Sequence, residues 1–334
     1  MFACNVYEVT DHFAENCRQE VLDNLKRLRH HACLGLICGN NEIESAWHHW
    51  GDFQKESAYL RADYIRLFEE ILPKAVKEAA PDAFYWPSSP SSGGCFDDPD
   101  NENDGDTHYW SVWHGQLPFT DFGNHYFRFC SEFGFQSFPC MKTIGSFTLE
   151  EDRNIFSRVM ESHQKNDSAN GKMLYYLSEN FRCPSTLEQT VYISQILQGM
   201  AVRYGVEHWR RNRGRCMGAL YWQVNDNWPA PSWSSIDYFG RWKALHYMAR
   251  EFYARRAASL ETDGGRIRLW TENETADRQD YRMKIILKKM DFTVIAQTAA
   301  SGSIEAYTSA PGAELDLENC CAYQELKKNS ASGE

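Results

Sequence analysis

The stretch that most limits the fold is ACLGLICGN, residues 32–40. A strand with one wet face alternates apolar and polar side chains. This run is apolar nearly throughout, as expected when both faces of a sheet are covered. Helical patterns stand on either side of it. HFAENCRQEVLDNLKRLRH (12–30), with Asp11 as its cap, puts Phe13, Cys17, Val21, Leu25 and Leu28 on one face. YLRADYIRLFEEILPKAVKEA (59–79) carries an internal Pro73 and leads into a second strand, AFYWPSS (83–89). Strand, helix, strand in succession implies a parallel sheet.

The same alternation fills the first three-quarters of the chain. MFACNVYE (1–8), THYWSVW (107–113), HYFRFCSEF (125–133) and MGALYWQV (217–224) read as strands, and residues 88–106 as a long Ser/Gly/Pro/Asp-rich loop. Helices are expected near 148–163, 186–212 and 240–256. From residue 257 the character changes. RIRLWTENET, DYRMKIILKKMDFTVIAQ and SGSIEAYTS read as short strands without helices, hence a β-sandwich. The expected domains are 1–256 and 257–334, the second short beside the about 100 residues of an immunoglobulin-like sandwich.

Two arrangements of a parallel sheet compete, an open doubly wound sheet and a (β/α)8 TIM barrel. No GxGxxG follows a strand, which removes the usual dinucleotide fingerprint. Polar residues gather instead at many strand ends: Asn41-Glu42, Ser88-Ser89, Trp113-His114, Glu132, Trp222 and Asn225-Asp226. Functional groups spread over several strand ends are the barrel pattern.

A net charge of −11 argues against nucleic acid or an anionic membrane as partner, since both favour a basic face. Aromatic residues make up 14% of the chain, with 11 Trp, and indole rings stack well on the C–H faces of sugars. The 11 cysteines form no CxxC pair and read as reduced thiols, so a cytoplasmic location is expected. No run has the length of a membrane span.

Glu42 and Glu132 each end an apolar strand, and a carboxylate there must be paired, hydrogen-bonded or protonated. A barrel would bring them together. Two facing carboxylates in an aromatic-lined pocket suit glycoside hydrolysis, in which one ionises readily and the other holds a proton. Nothing in the chain suggests a metal centre. WHHW (47–50) has the look of one, yet as a loop after a strand it reads better as a pocket wall.

CGNNE, SEFGFQSFP and GALYWQVNDNWPAPSWSSIDYFGRWKALHY resemble the β-mannosidase branch of glycoside hydrolase family 2, over nearly all of residues 1–256. The resemblance implies a retaining enzyme with a (β/α)8 barrel and no cofactor, acting on a β-mannoside oligosaccharide. It implies that Glu42, ending the fourth strand, is the general acid/base and Glu132, ending the seventh, the nucleophile. Asn41 would hydrogen-bond the sugar 2-hydroxyl, and Trp222 would floor the sugar subsite. Trp228 and Trp233, in the loop that follows, read either as a wall of the cleft or as anchors that pack the loop. From the sixth strand, Tyr109, Trp110, Trp113 and His114 are candidates, with Tyr109 expected to contact Glu132. The carboxyls should stand about 5–5.5 Å apart, against roughly 6.5–9.5 Å in an inverting enzyme.

Against the family pattern, Met1 falls within the third barrel strand. The resemblance then implies an incomplete barrel of strands three to eight and a partial sandwich, preceded in a full member by jelly-roll and immunoglobulin-like domains. Those missing domains would be a partner, and residues 1–334 alone are expected not to turn over substrate. Another glycosidase of the same clan, such as a β-galactosidase or β-glucuronidase, shares the glutamate pair. A non-catalytic carbohydrate-binding remnant is the other reading. WSSIDYFGRWKALHY favours a mannosidase, and the presence of both glutamates opposes decay.

Overall fold

A computed structural model describes residues 1–332. The chain forms two compact units. The first comprises Met1–Tyr109, His125–Phe133 and Gly218–Leu220, and the second the remaining described residues.

In the first unit, helix α1 (Asp11–Leu28) starts where Thr10 Oγ1 accepts the Phe13 N–H at 3.2 Å. The cap is therefore Thr10, and Asp11 is the acid of the first turn. Strand β1 (Ile37–Asn41) is shorter at its start than the apolar run, because the Leu34 N–H closes a turn on His31 O at 3.1 Å. It runs on through both amides and is followed by α2 (Ile43–His49). The long helical pattern after it divides into α3 (Ala58–Tyr64), a π-helical stretch Ile65–Ile71, and α4 (Leu72–Ala79). Pro73 has no N–H to give and its ring crowds the preceding turn. The Leu72 N–H reaches back five residues to Leu67 O, a wide turn that resets the ladder before the proline. Leu67, Phe68, Leu72, Ile43, Trp47 and Tyr64 form the buried cluster beneath these helices.

Strand β2 (Tyr85–Ser89) pairs with β1 in parallel, Asn41 standing opposite Ser89. The strand expected over 1–8 is reduced to a single bridge. The Phe2 N–H donates to Gly39 O at 2.8 Å, and Phe2 O accepts from the Asn41 N–H at 2.9 Å. Strands β3 (Thr107–Tyr109) and β4 (Cys130–Phe133) are also parallel, and β5 (Ala219–Tyr221) adjoins β4.

The second unit holds α5 (Met141–Ile144), α6 (Arg158–Ser162), α7 (Ala169–Asn180), α8 (Leu187–Arg211) and α9 (Ala244–Phe252). Of the helix expected over 148–163 only α6 forms. Asp152 and Asn154 side chains take the N–H groups of Leu149 and Phe156, at 3.2 and 2.9 Å, and hold that stretch in turns. At Arg256 the mixed pattern gives way to strands β6 (Arg256–Asp263), β7 (Arg266–Asn273), β8 (Gln279–Lys288), β9 (Val294–Ile304) and β10 (Thr308–Asp316). They form two antiparallel sheets, β10-β7-β6 and β8-β9, which bury Met283, Ile285 and Ala313 together. Contrary to the expectation of strands alone, a helix, α10 (Cys321–Ser332), follows. Among the described residues no helix is long and apolar enough to cross a membrane.

Candidate active site

The site begins with the closeness of two strands. A Cβ on Gly39 would lie 2.3 Å from Pro87 O, so only glycine lets β1 and β2 approach this far. Asn40 is fully buried and spends its amide on the junction. Its Nδ2 donates to Pro87 O at 2.9 Å, and its Oδ1 accepts from Ser88 Oγ at 2.8 Å and from the Ile43 N–H at 3.1 Å. That last bond caps α2, a task usually given to the residue at the helix start. Glu42 is thereby released from it.

Glu42 has φ 61° and ψ 4°, the left-handed conformation, while its N–H still donates to Ser89 O at 2.8 Å. A non-glycine residue held this way costs on the order of 1–3 kcal/mol and persists where its surroundings enforce it. Here the corner turns the chain from strand to helix within one residue and leaves the carboxylate uncommitted to either.

The second carboxylate comes from β4, where Glu132 is paired in register with His108 of β3. The His108 side chain is 4% exposed, with Nδ1 3.0 Å from Glu42 Oε1 and 3.8 Å from Glu132 Oε1. One oxygen of each glutamate and a ring nitrogen of His108 all lie within 4.8 Å of one another. Both glutamates keep some exposure, 19% for the Glu42 side chain and 14% for Glu132, so the pair faces an opening.

The far side of His108 decides where its protons are. Nε2 stands 3.1 Å from Ser89 Oγ, which itself donates to Asp106 Oδ2 at 2.6 Å. Ser131 Oγ donates to the same oxygen at 2.6 Å, while Asp106 Oδ1 accepts from Trp86 Nε1 at 2.8 Å and from the Ser91 N–H at 3.0 Å. With its hydroxyl proton given to Asp106, Ser89 can only accept from Nε2–H. Nδ1 therefore shares one further proton with Glu42. Burial works against charging the ring. The hydrogen bond to Glu42 and the charges of Glu132, Glu42 and Asp106 outweigh it and hold the His108 pKa above its ordinary value.

Of the other expected residues, Asn41 lies beside the pair, its Nδ2 3.5 Å from Glu42 Oε2. Tyr109 is nearly buried, its ring 4.3 Å from His125 and 5.4 Å from Phe127. Trp113, Trp222 and Trp228 belong to the second unit. Trp113 is a correction. The strand ends at Tyr109, the backbone turns, and Trp113, at φ 81°, is fully buried against Phe135 and Tyr176, with no surface to offer a ligand. Trp222 is 43% exposed and precedes a cis peptide bond to Gln223. Trp228 is 38% exposed and stacks on His163, the ring centroids 4.4 Å apart. In WHHW, Trp47 is core, and His49 pairs with Asp100 at 3.3 Å.

Sequence reasoning did not single out His108, Asp106 or Glu44. The available signal was the position of His108 within THYW, whose other aromatics drew attention away from it.

No protein-family model matches the chain. Over 261 residues, 74% of its length, it is 38% identical to β-mannosidase B of Emericella nidulans, and over 260 residues 38% identical to β-mannosidase B of Aspergillus clavatus. The chain spans about 30% of the length of each of these curated relatives. Its structure is similar to the β-D-mannosidase of Dictyoglomus thermophilum, with a TM-score of 0.83 and 31% identity over 96% of this chain and 39% of that one. An exo-chitosanase of Amycolatopsis orientalis, 14% identical, shares the fold at a TM-score of 0.68 over 91% of this chain and 35% of its own.

Fold and relatives together put the chain among the glycoside hydrolases. Within that class it belongs to the β-mannosidase branch of glycoside hydrolase family 2.

Proposed function

We propose that the chain carries the catalytic carboxylates of an exo-acting, retaining β-mannosidase, which removes terminal β-D-mannose from oligosaccharides by double displacement. The mannosidases it resembles support the substrate. The observation that carries the mechanism is the closeness of Glu42 and Glu132. One oxygen of each lies within 4.8 Å of the other, a spacing that supports the about 5–5.5 Å of a retaining pair over the roughly 6.5–9.5 Å of an inverting one.

Glu132 attacks the anomeric carbon while Glu42 gives its proton to the departing oxygen. The bond to the leaving group breaks as the glycosyl–Glu132 ester forms. Glu42 then takes a proton from water, the water oxygen bonds to the anomeric carbon, and Glu132 leaves. Two inversions restore the β configuration. Nδ1 of His108 stands 3.0 Å from Glu42 Oε1, placed to meet the charge that carboxyl carries. Asn41 is assigned to the sugar 2-hydroxyl and Tyr109 to the surroundings of the subsite. This chemistry requires neither metal nor cofactor.

We further assign residues 1–256 to a (β/α)8 barrel lineage and 257–334 to an immunoglobulin-like sandwich. The parallel pairs β1–β2 and β3–β4, and the match to a mannosidase at a TM-score of 0.83, support that assignment. The test is a panel of aryl β-mannoside, β-galactoside and β-glucuronide given to residues 1–334. Turnover of the mannoside alone, abolished by Glu132→Ala, supports the reading and overturns the expectation that residues 1–334 are inactive by themselves. Preference for another sugar moves the chain within its clan, and binding without turnover makes it a carbohydrate-binding remnant.

A further inference from the structure

Two residues beyond Glu42 lies a carboxylate that the proposed mechanism does not use. Glu44 is fully buried, and among the described residues its hydrogen-bond partners are neutral hydroxyls. Its Oε1 accepts from Tyr64 OH at 2.8 Å and its Oε2 from Ser91 Oγ at 2.6 Å. Burial pushes its carboxyl up to about 7, against the pull of those two hydroxyls, with Glu69 and Asp106 adding to the rise. A buried acid served only by neutral donors is a poor choice for stability, since apolar side chains of like volume usually do as well or better.

We infer that Glu44 is a positioning residue for Glu42, tying together the two supports of the Glu42–His108 hydrogen bond. One support is the corner. Tyr64 OH, while donating to Glu44, accepts from Asn40 Nδ2 at 3.4 Å, and Asn40 holds the Ile43 N–H, next to Glu42, and Ser88, next to the Ser89 whose carbonyl takes the Glu42 N–H. The other support is Asp106. Ser91 Oγ, while donating to Glu44, accepts from the Gly93 and Gly94 N–H groups at 3.1 and 3.0 Å, and the Ser91 N–H donates to Asp106 Oδ1. Asp106 in turn fixes Ser89, the partner of His108 Nε2. Asn40, Tyr64, Glu44, Ser88 and Ser91 are all buried, so the brace is closed to water. A fully satisfied network of this kind is rigid, and removing one member loosens the rest.

The inference rests on the reading of Glu42 as acid/base, and its test separates the two. Residues 1–334 with 15N-labelled histidine are titrated by NMR, the His108 ring being assigned by its loss in His108→Gln. In the wild type the ring titrates above 6.5. In Glu44→Gln, and to a lesser degree in Tyr64→Phe, the midpoint falls toward 6.5 because Glu42 no longer stands against Nδ1. In parallel, aryl β-mannosides of graded leaving-group pKa are assayed. Glu44→Gln should lose about 10- to 100-fold in kcat on poor leaving groups, the span a displaced general acid allows, with KM little changed. A dinitrophenyl mannoside, which needs no acid, should be nearly unaffected. Both variants keep side-chain volume, so either can report if the other misfolds. Folded variants with an unaltered His108 midpoint overturn the inference, as does a loss equal for all leaving groups. If the wild type shows no turnover, as expected of residues 1–334 alone, the His108 midpoint decides the role of Glu44.

Discussion

Nδ1 of His108 lies 3.0 Å from Oε1 of Glu42, while the opposite ring nitrogen meets a hydroxyl whose own proton is given to Asp106. One mobile proton is thereby left to the pair, at the point where the proposed reaction needs to donate one and later recover it. Glu132, 3.8 Å from the same nitrogen, feels that proton as a nearby positive charge.

The first prediction concerns stability. The folded pKa of His108 is raised, so the ring's contribution is complete below its unfolded value of about 6.5 and is lost as pH rises through the folded value. His108→Gln should lower the melting temperature more at pH 5.5 to 6 than at pH 9. Melting curves across that range check it, and a gap that does not change with pH goes against the shared proton.

A second prediction concerns Glu42 itself. Glu42→Gln should slow hydrolysis by about 10²- to 10⁴-fold where the leaving group needs protonation. Dinitrophenyl mannoside should still load Glu132. A plot of log kcat against leaving-group pKa should steepen in the variant, and parallel lines would remove Glu42 from the acid role.

Both glutamates were legible because each ends an apolar strand, where a bare carboxylate has no structural reason to be. His108 was not, since its role depends on register. A shift between Thr107 and His108 sets the histidine, rather than an aromatic neighbour, opposite Glu132. Trp113 was misread for a related reason. Apolar and aromatic residues continue past Tyr109, yet the hydrogen-bonded ladder stops there, and periodicity does not register where the chain turns away. The pattern over 59–79 did give a helix, and Pro73 told that something would break without telling that a π-helical stretch would absorb it. Asp106 sits in a loop of acidic residues, where composition alone cannot distinguish a carboxylate taking four hydrogen bonds from one in solvent.

In the second unit, Lys243 supplies a third prediction. It is 1% exposed, its Nζ donating to Ser232 O at 3.1 Å and Ser137 O at 3.3 Å. Burial pulls its amine from 10.5 down to about 8, Asp226 and Asp237 opposing the fall. Between those values the unfolded lysine holds a proton that the folded one has lost, so stability rises with pH. Relative to Lys243→Met, the wild type should gain up to roughly 3 kcal/mol from pH 8 to pH 10.5. Urea titrations of the two proteins measure the difference, and a flat one counts against the buried amine.

Gly134 supplies the fourth. A Cβ there would lie 2.6 Å from Trp222 O, 3.0 Å from the Trp110 ring and 3.1 Å from the Trp233 ring. A backbone oxygen cannot step aside as a flexible side chain does, so Gly134→Ala should cost about 1–3 kcal/mol, as overpacking does. Denaturant unfolding gives the cost, and tryptophan fluorescence should shift if Trp222 is displaced. A variant as stable as the wild type would mean that the strand end yields more readily than its contacts imply.

The most direct measurement is to trap the glycosyl-enzyme. Residues 1–334 are incubated with a 2-deoxy-2-fluoro-β-mannoside bearing a dinitrophenyl leaving group, digested, and mapped by mass spectrometry. One fluorosugar on Glu132, absent from Glu132→Ala, is the predicted result. An adduct on any other side chain, or a protein that hydrolyses mannosides yet stays unlabelled, would contradict it.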